Sequence, residues 1–174
     1  MEGCFRRRPR IESSRHEVPR SRTKLVRLVI QRATRGRVLV DGATIGEIGE
    51  GLVVLVAVGK DDTAAVAVSM AEKVYNLRIF NDAEGKMNRA LADTGGAVLA
   101  VSQFTLYGDA RGQRRPSFIQ AAPAELGKTL YGEFVTALRA LDVHVATGMF
   151  QTHMSVEIVN DGPVTILLDS EKLF

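Results

Sequence analysis

A single cysteine, Cys4, has nothing to pair with in this chain of 174 residues, so no internal disulfide can brace it. Histidine is nearly as scarce, and His16, His144 and His153 show no metal-ligand spacing. Long apolar runs are missing as well: the longest, 52–58, falls far short of the roughly twenty residues that cross a bilayer. No charged-then-apolar leader opens the chain. Disulfide, metal and membrane-spanning architectures are set aside on these grounds, and a soluble cytoplasmic protein is the expectation. With 45% apolar and 25% charged residues, the chain has what one globular domain needs to bury a proper core.

The net charge of +3 is unevenly spread. Residues 1–24 carry eight Lys/Arg against three Glu, a local +5, and the remainder is −2. A module that binds phosphates non-specifically carries its basic excess in the folded part; here it sits in the tail. That tail is Arg-rich and almost without aliphatic periodicity, so it buries too little surface to offset the entropy of ordering. Residues 1–24 are expected to be a disordered or misassigned extension, and 25–174 the functional domain. A targeting peptide and an RNA-binding arm are the functional alternatives for the tail.

From residue 25 the pattern changes to runs rich in Val, Ile and Leu at 25–33, 37–40 and 52–58. Arg35-Gly36 reads as a turn between the first two, and Asp41-Gly42 ends the second. Asp61-Asp62-Thr63 is a helix-start region, with Val66, Met70, Val74 and Leu77 at helical spacing beyond it. A short strand at 78–80, a turn at 81–85 and a buried strand at 97–103 follow, then a polar loop over 107–117. Pro123 suits the first turn of a second helix with its apolar stripe at Leu126, Leu130, Phe134, Ala137 and Leu141. Runs at 143–146, 154–160 and 164–168 complete the strands. The fold class is α/β or α+β: a single domain with a mixed sheet and two main amphipathic helices.

Two segments carry possible chemistry. In Ser102-Gln103-Phe104-Thr105-Leu106 a buried strand gives way to a loop, where the backbone N–H groups of Phe104 and Thr105 and the Gln103 amide could face a developing oxyanion. The competing reading is a strand end whose hydroxyls satisfy local backbone groups. A nucleophilic Ser102 or Thr105 would need a base, and the neighbouring sequence offers none; His153, some fifty residues on, reads as an ordinary loop histidine. The second segment, Asn160-Asp161-Gly162-Pro163-Val164-Thr165, breaks two strand-like runs. Gly reaches backbone conformations closed to other residues, and X-Pro is the one bond where cis is readily accessible, although a plain trans turn is the commoner outcome. Arg111, Arg114 and Arg115 form a basic loop suited either to phosphates or to solvent. Gln31-Arg32 reads as a polar pair on an exposed edge.

Together these residues resemble the D-aminoacyl-tRNA deacylase family, the bacterial and eukaryotic type, whose signatures have the forms SQxTLxG/A and NxGPxT. Here they are SQFTLYG at 102–108 and NDGPVT at 160–165. The likeness extends through VIQR at 29–32, LRIFNDAEGKMN at 77–88, RRPSF at 114–118 and TG at 147–148. It implies a barrel-like core of the D-tyrosyl-tRNA deacylase kind and a homodimer in which a cis Gly162-Pro163 reaches into the partner's active site. There it would exclude an L side chain while a D-amino acid or glycine fits, so that selectivity comes from a clash.

The resemblance also implies that Ser102, Gln103, Phe104 and Thr105 form the catalytic segment. Gly162, Pro163, Arg32 and Met154 would serve the substrate, with Arg32 steadying the Gly-Pro element. The amides of Phe104 and Thr105 would hold the oxyanion and the tRNA 2′-hydroxyl would assist, with a covalent Thr105 as the mechanistic runner-up. No metal or organic cofactor is implied, and the partner is the 3′ end of D-aminoacyl-tRNA. A tRNA-binding module without catalysis and a general esterase are the competing functions.

Overall fold

The computed structural model describes residues 26–171; the expectation for residues 1–24 lies outside them. Eight strands and three helices alternate in the order β1 (Arg27–Val40), β2 (Ala43–Ile48), β3 (Gly51–Ala57), α1 (Ala64–Tyr75), β4 (Phe80–Asn81), β5 (Met87–Arg89), α2 (Leu91–Thr94), β6 (Ala97–Ser102), α3 (Ala124–Ala140), β7 (Val145–Thr147) and β8 (Ser155–Asp169). A single 3-10 turn, Phe104–Tyr107, follows β6. The main sheet runs β2-β1-β3-β6-β7, with β8 on the other edge of β1, and β4 pairs with β5 separately. The β3–β6 and β6–β7 pairs are parallel and the rest antiparallel.

β1 organises the fold. Its residues 27–33 pair with β3 and residues 36–40 with β2, while β8 follows it along nearly its whole length. The expected turn at Arg35-Gly36 does not exist: the chain continues as one strand. Gly36 is there for space, because a Cβ at that position would lie 2.6 Å from the Val53 side chain. The turn falls at Asp41-Gly42, where φ of 49° and 80° gives the twist that suits a two-residue hairpin, and it leads into β2, which the sequence reading missed. Beyond β2 the sheet curls so far that Gly46 meets β7. A Cβ on Gly46 would sit 2.4 Å from the Thr147 carbonyl oxygen, so only glycine lets this barrel-like seam close.

The curled sheet buries both faces. Inside it lie Val38, Ile48, Val53, Leu99 and Val101; outside, α1 and α3 cover Leu28, Ile30, Leu52, Val54, Val56, Val98 and Ala100 with Met70, Val74, Phe134 and Leu138. This double burial explains the unbroken apolar run of β3, where a half-exposed strand would alternate. Each fully buried Val, Leu, Ile, Phe or Met side chain among them contributes about 1.5–3 kcal/mol by leaving water. Helix α1 starts after Thr63 and α3 after Pro123, as their sequence signals imply. The Tyr131 hydroxyl donates to the Ala100 carbonyl at 2.9 Å, pinning α3 to β6, and burial pushes its pKa up to about 12. No helix among the described residues is long and apolar enough to cross a membrane.

Candidate active site

β6 ends at Ser102, beside Val56 of β3, and Gln103 N–H donates to the Val56 carbonyl at 2.8 Å. The chain then tightens into the 3-10 turn, whose internal bonding begins with Leu106 N–H to the Gln103 carbonyl at 3.2 Å. Phe104 and Thr105 precede that bond, so their amides have no partner inside the turn. Both residues are exposed. Behind the turn Tyr107 is buried, and burial followed by the nearby Asp62 charge raises its pKa, keeping the phenol neutral.

A pocket of about 590 Å³ opens beside this turn, lined among others by Ser102, Gln103, Phe104, Phe150, His153 and Met154. Its far rim is tied down by Ala122 N–H to the Val58 carbonyl at 2.9 Å and Lys60 N–H to the Gln120 carbonyl at 3.1 Å. Phe104 meets Phe118 edge-to-face, with ring centroids 5.2 Å apart. Met154 accepts the Met149 N–H on its sulfur at 3.2 Å, which steadies its part of the pocket wall. The Gln103 side-chain amide donates to the Thr105 hydroxyl oxygen. An amide NH2 cannot remove a proton, so this contact orients Thr105 without activating it. Among the described residues, no carboxylate, histidine or lysine side chain is hydrogen-bonded to Ser102 or Thr105.

The second motif lies inside β8. From Ala33↔Asn160 to Gln31↔Thr165 the ladder advances two residues on β1 and five on β8, so Asp161 to Val164 is squeezed out as a bulge. The Asn160 side-chain amide spans its neck, donating to the carbonyls of Arg32 at 2.9 Å and Val164 at 3.0 Å. Gly162 has φ of 116°, and a Cβ there would meet Val164 Cγ2 at 2.7 Å, so only glycine fits. The Gly162-Pro163 peptide is cis, and both residues are exposed. Arg32 is buried under the bulge rather than exposed on an edge as its sequence suggested, because β1 is an interior strand.

One chain therefore brings Ser102, Gln103, Phe104 and Met154 to one pocket, with Thr105 in the adjoining turn, and holds Arg32, Gly162 and Pro163 elsewhere. Ser102 is level with Leu28 and the bulge with Arg32, and three strand spacings separate β6 from β8. Strand geometry puts the two motifs on the order of 20 Å apart. Sequence reasoning also set aside His153, which lines the pocket, and passed over Phe150 and Arg27. The only signal for His153 was its place one residue before Met154. Of the basic loop, Arg111 is held by Asp109 at 2.6 Å, which keeps that carboxyl well below its usual range.

Residues 29–169 match the family model for D-Tyr-tRNA(Tyr) deacylase. The chain is 60% identical to the D-aminoacyl-tRNA deacylase of Symbiobacterium thermophilum over 86% of its own length and 99% of that protein's. It is 57% identical to the D-aminoacyl-tRNA deacylase of Desulforudis audaxviator over 86% of its length and all of that one. Among solved structures it resembles one described as a c-Myc DNA unwinding element binding protein, with a TM-score of 0.76 and 38% identity, covering 82% of this chain and 97% of that one. The fold is also that of a probable eukaryotic D-amino acid tRNA deacylase, with a TM-score of 0.73 at 20% identity and 83% and 99% coverage. With most of the chain matched by the family model and by relatives of its own length, the protein belongs to the D-aminoacyl-tRNA deacylase family.

Proposed function

We propose that this protein hydrolyses the ester joining a D-amino acid, or glycine, to the 3′ end of tRNA, and that it does so as a homodimer in the cytoplasm. The observation that carries this reading is the pair of amides at Phe104 and Thr105 that have no partner inside the 3-10 turn, beside a pocket where, among the described residues, no base is hydrogen-bonded to Ser102 or Thr105. An aminoacyl ester is already reactive, so positioning it and stabilising its tetrahedral oxyanion is enough. The ester carbonyl oxygen faces the two N–H groups, the terminal 2′-hydroxyl assists attack by water, and collapse of the intermediate expels the ribose oxygen. Free amino acid and tRNA leave.

In this reading Gly162 and Pro163 serve chiral selection, as the family resemblance implies. They are exposed at the tip of a bulge far from their own chain's pocket, which supports their acting in the pocket of a second copy. There they crowd one side of the substrate's α-carbon: an L side chain collides, and a hydrogen on that side, as in a D-amino acid or glycine, does not. Arg32 and Met154 support the bulge and the pocket wall respectively.

Matched D-tyrosyl-tRNA, L-tyrosyl-tRNA and glycyl-tRNA test the reading directly. Loss of the D- and glycyl esters with the L-ester spared, and a Pro163→Ala protein that no longer discriminates, is expected. Absence of D-ester cleavage would favour a tRNA-binding module without catalysis. Sedimentation of the same samples reads the dimer, and an active monomer would end the proposal that the site is completed in trans.

A further inference from the structure

We infer that Arg27 is a positioning residue for the reaction, the brace that holds the 3-10 turn so that the Phe104 and Thr105 amides keep facing the pocket; this rests on the function proposed above. Three contacts converge on its guanidinium. Nη1 donates to the Leu106 carbonyl at 3.1 Å, the group lies 4.6 Å from the Tyr107 ring centroid, and Nε is 3.4 Å from the Asp169 carboxylate. Asp169 is itself fixed, since its other oxygen accepts the Glu171 N–H at 2.7 Å and its side chain is fully buried.

The turn is short, and it is anchored at both ends. At the entrance Gln103 N–H bonds to Val56 at 2.8 Å. At the exit Arg27 takes the Leu106 carbonyl and covers the Tyr107 ring. The two amides without a partner inside the turn lie between these anchors. With both ends held, the peptide planes of Phe104 and Thr105 cannot swing out of register with an incoming carbonyl. Oxyanion donors are effective only when they are oriented before the charge develops.

Arginine suits this task because a flat guanidinium can stack on a ring with its face while its edge donates to a carbonyl and its charge faces a carboxylate. An ammonium supplies the charge without the plane. None of the three contacts involves the substrate, so Arg27 acts on the chemistry through the turn alone.

The test is single-turnover hydrolysis of D-tyrosyl-tRNA with the full chain in excess, which separates the saturating rate from the half-saturating protein concentration. Arg27→Met and Arg27→Lys are compared with Val74→Ala, a core truncation on α1 that lowers stability outside the turn and its anchors. Arg27→Met is expected to lower the saturating rate by about tenfold or more, with half-saturation within about twofold of the unaltered protein. Arg27→Lys should fall between, and Val74→Ala should keep its rate.

An Arg27→Met rate within about twofold of the unaltered protein overturns the inference, as does an equal loss in Val74→Ala. If Arg27→Met fails to fold, Arg27→Lys decides: a reduced saturating rate supports the brace and an unchanged one overturns it. An unaltered protein that leaves D-tyrosyl-tRNA intact sinks the proposed function and this inference with it. An active one with an unimpaired Arg27→Met sinks the inference alone.

Discussion

Arg32 and Asp161 form an ion pair of 2.7 Å across the point where β1 and β8 lose register. The pair is lopsided: the Arg32 side chain is 9% exposed and the Asp161 side chain 46%. The same guanidinium donates to the Ile79 carbonyl at 2.6 Å and the Asn81 side chain at 3.3 Å, so it fastens the Gly162-Pro163 bulge to the segment entering β4. Arg32→Met leaves the Ile79 carbonyl without its charged donor and should cost about 2–3 kcal/mol. In a domain of this size that lowers Tm by roughly 5–10 °C. Asp161→Asn, whose charge is already screened by solvent, should cost less than about 1 kcal/mol. Thermal unfolding of the two variants checks the asymmetry.

The proposed oxyanion donors belong to the backbone, so a side-chain deletion does not remove them. Phe104 is the first residue of its turn, the position where proline is tolerated and where the lost N–H has no helical partner. Phe104→Pro should lower the rate of D-ester hydrolysis about a hundredfold or more, with Tm little changed. Phe104→Ala, which keeps the N–H, should lose far less. Equal losses in the two variants would assign the role to the ring.

Thr105 and His153 are the groups to alter if a side chain does the chemistry. Removing a true nucleophile or its base costs about 10⁴-fold or more. Thr105 accepts a hydrogen bond from the Gln103 amide, and His153, although in the pocket wall, bonds to neither Thr105 nor Ser102. Thr105→Val and His153→Ala should each retain activity within about tenfold, since only positioning is lost. A collapse of either rate would replace the backbone mechanism with a covalent or base-assisted one.

Asp82 closes the turn between β4 and β5. Its carboxylate accepts from the Asn88 side chain at 2.5 Å and from the Lys86 and Glu84 amides at 2.9 and 3.0 Å. The Asn88 bond, then the backbone ones, holds its pKa below the usual carboxylate value. Because the folded value is lowered, the stabilisation is fully present above the ordinary carboxylate pKa of about 4 and is lost as pH falls through the lower folded value. Exchange of the Glu84 and Lys86 amides, followed by NMR, should accelerate over that acid range beyond the intrinsic pH trend. Asp82→Ala should remove the excess.

How far each element could be read depended on whether its cause was local. The stripe Met70-Val74 and the stripe Leu130-Phe134 are faces of single helices, so periodicity revealed α1 and α3 without reference to the rest of the chain. Asp41-Gly42 has the conformational freedom that its hairpin requires and was legible for the same reason. Gly36 has that freedom too, yet it serves only to clear Val53, a residue seventeen positions away. β8 looked like two strands because its partner β1, which carries the ladder past the bulge, is remote in sequence.

The site divides along the same line. Both motifs were visible as sequence, and the family with them, because the order of residues along the chain is all that a motif consists of. What the tertiary structure decided is where they stand: Ser102 to Phe104 with Phe150, His153 and Met154 around one pocket, Gly162-Pro163 well away on β8, and Arg27 under the turn. Arg27 was unreadable because its meaning lies in Leu106, Tyr107 and Asp169, which come within reach only when β1 passes between β3 and β8. Local preference is written in neighbouring residues, whereas a contact across a curled sheet exists only once the apolar faces have been buried and the strands have closed.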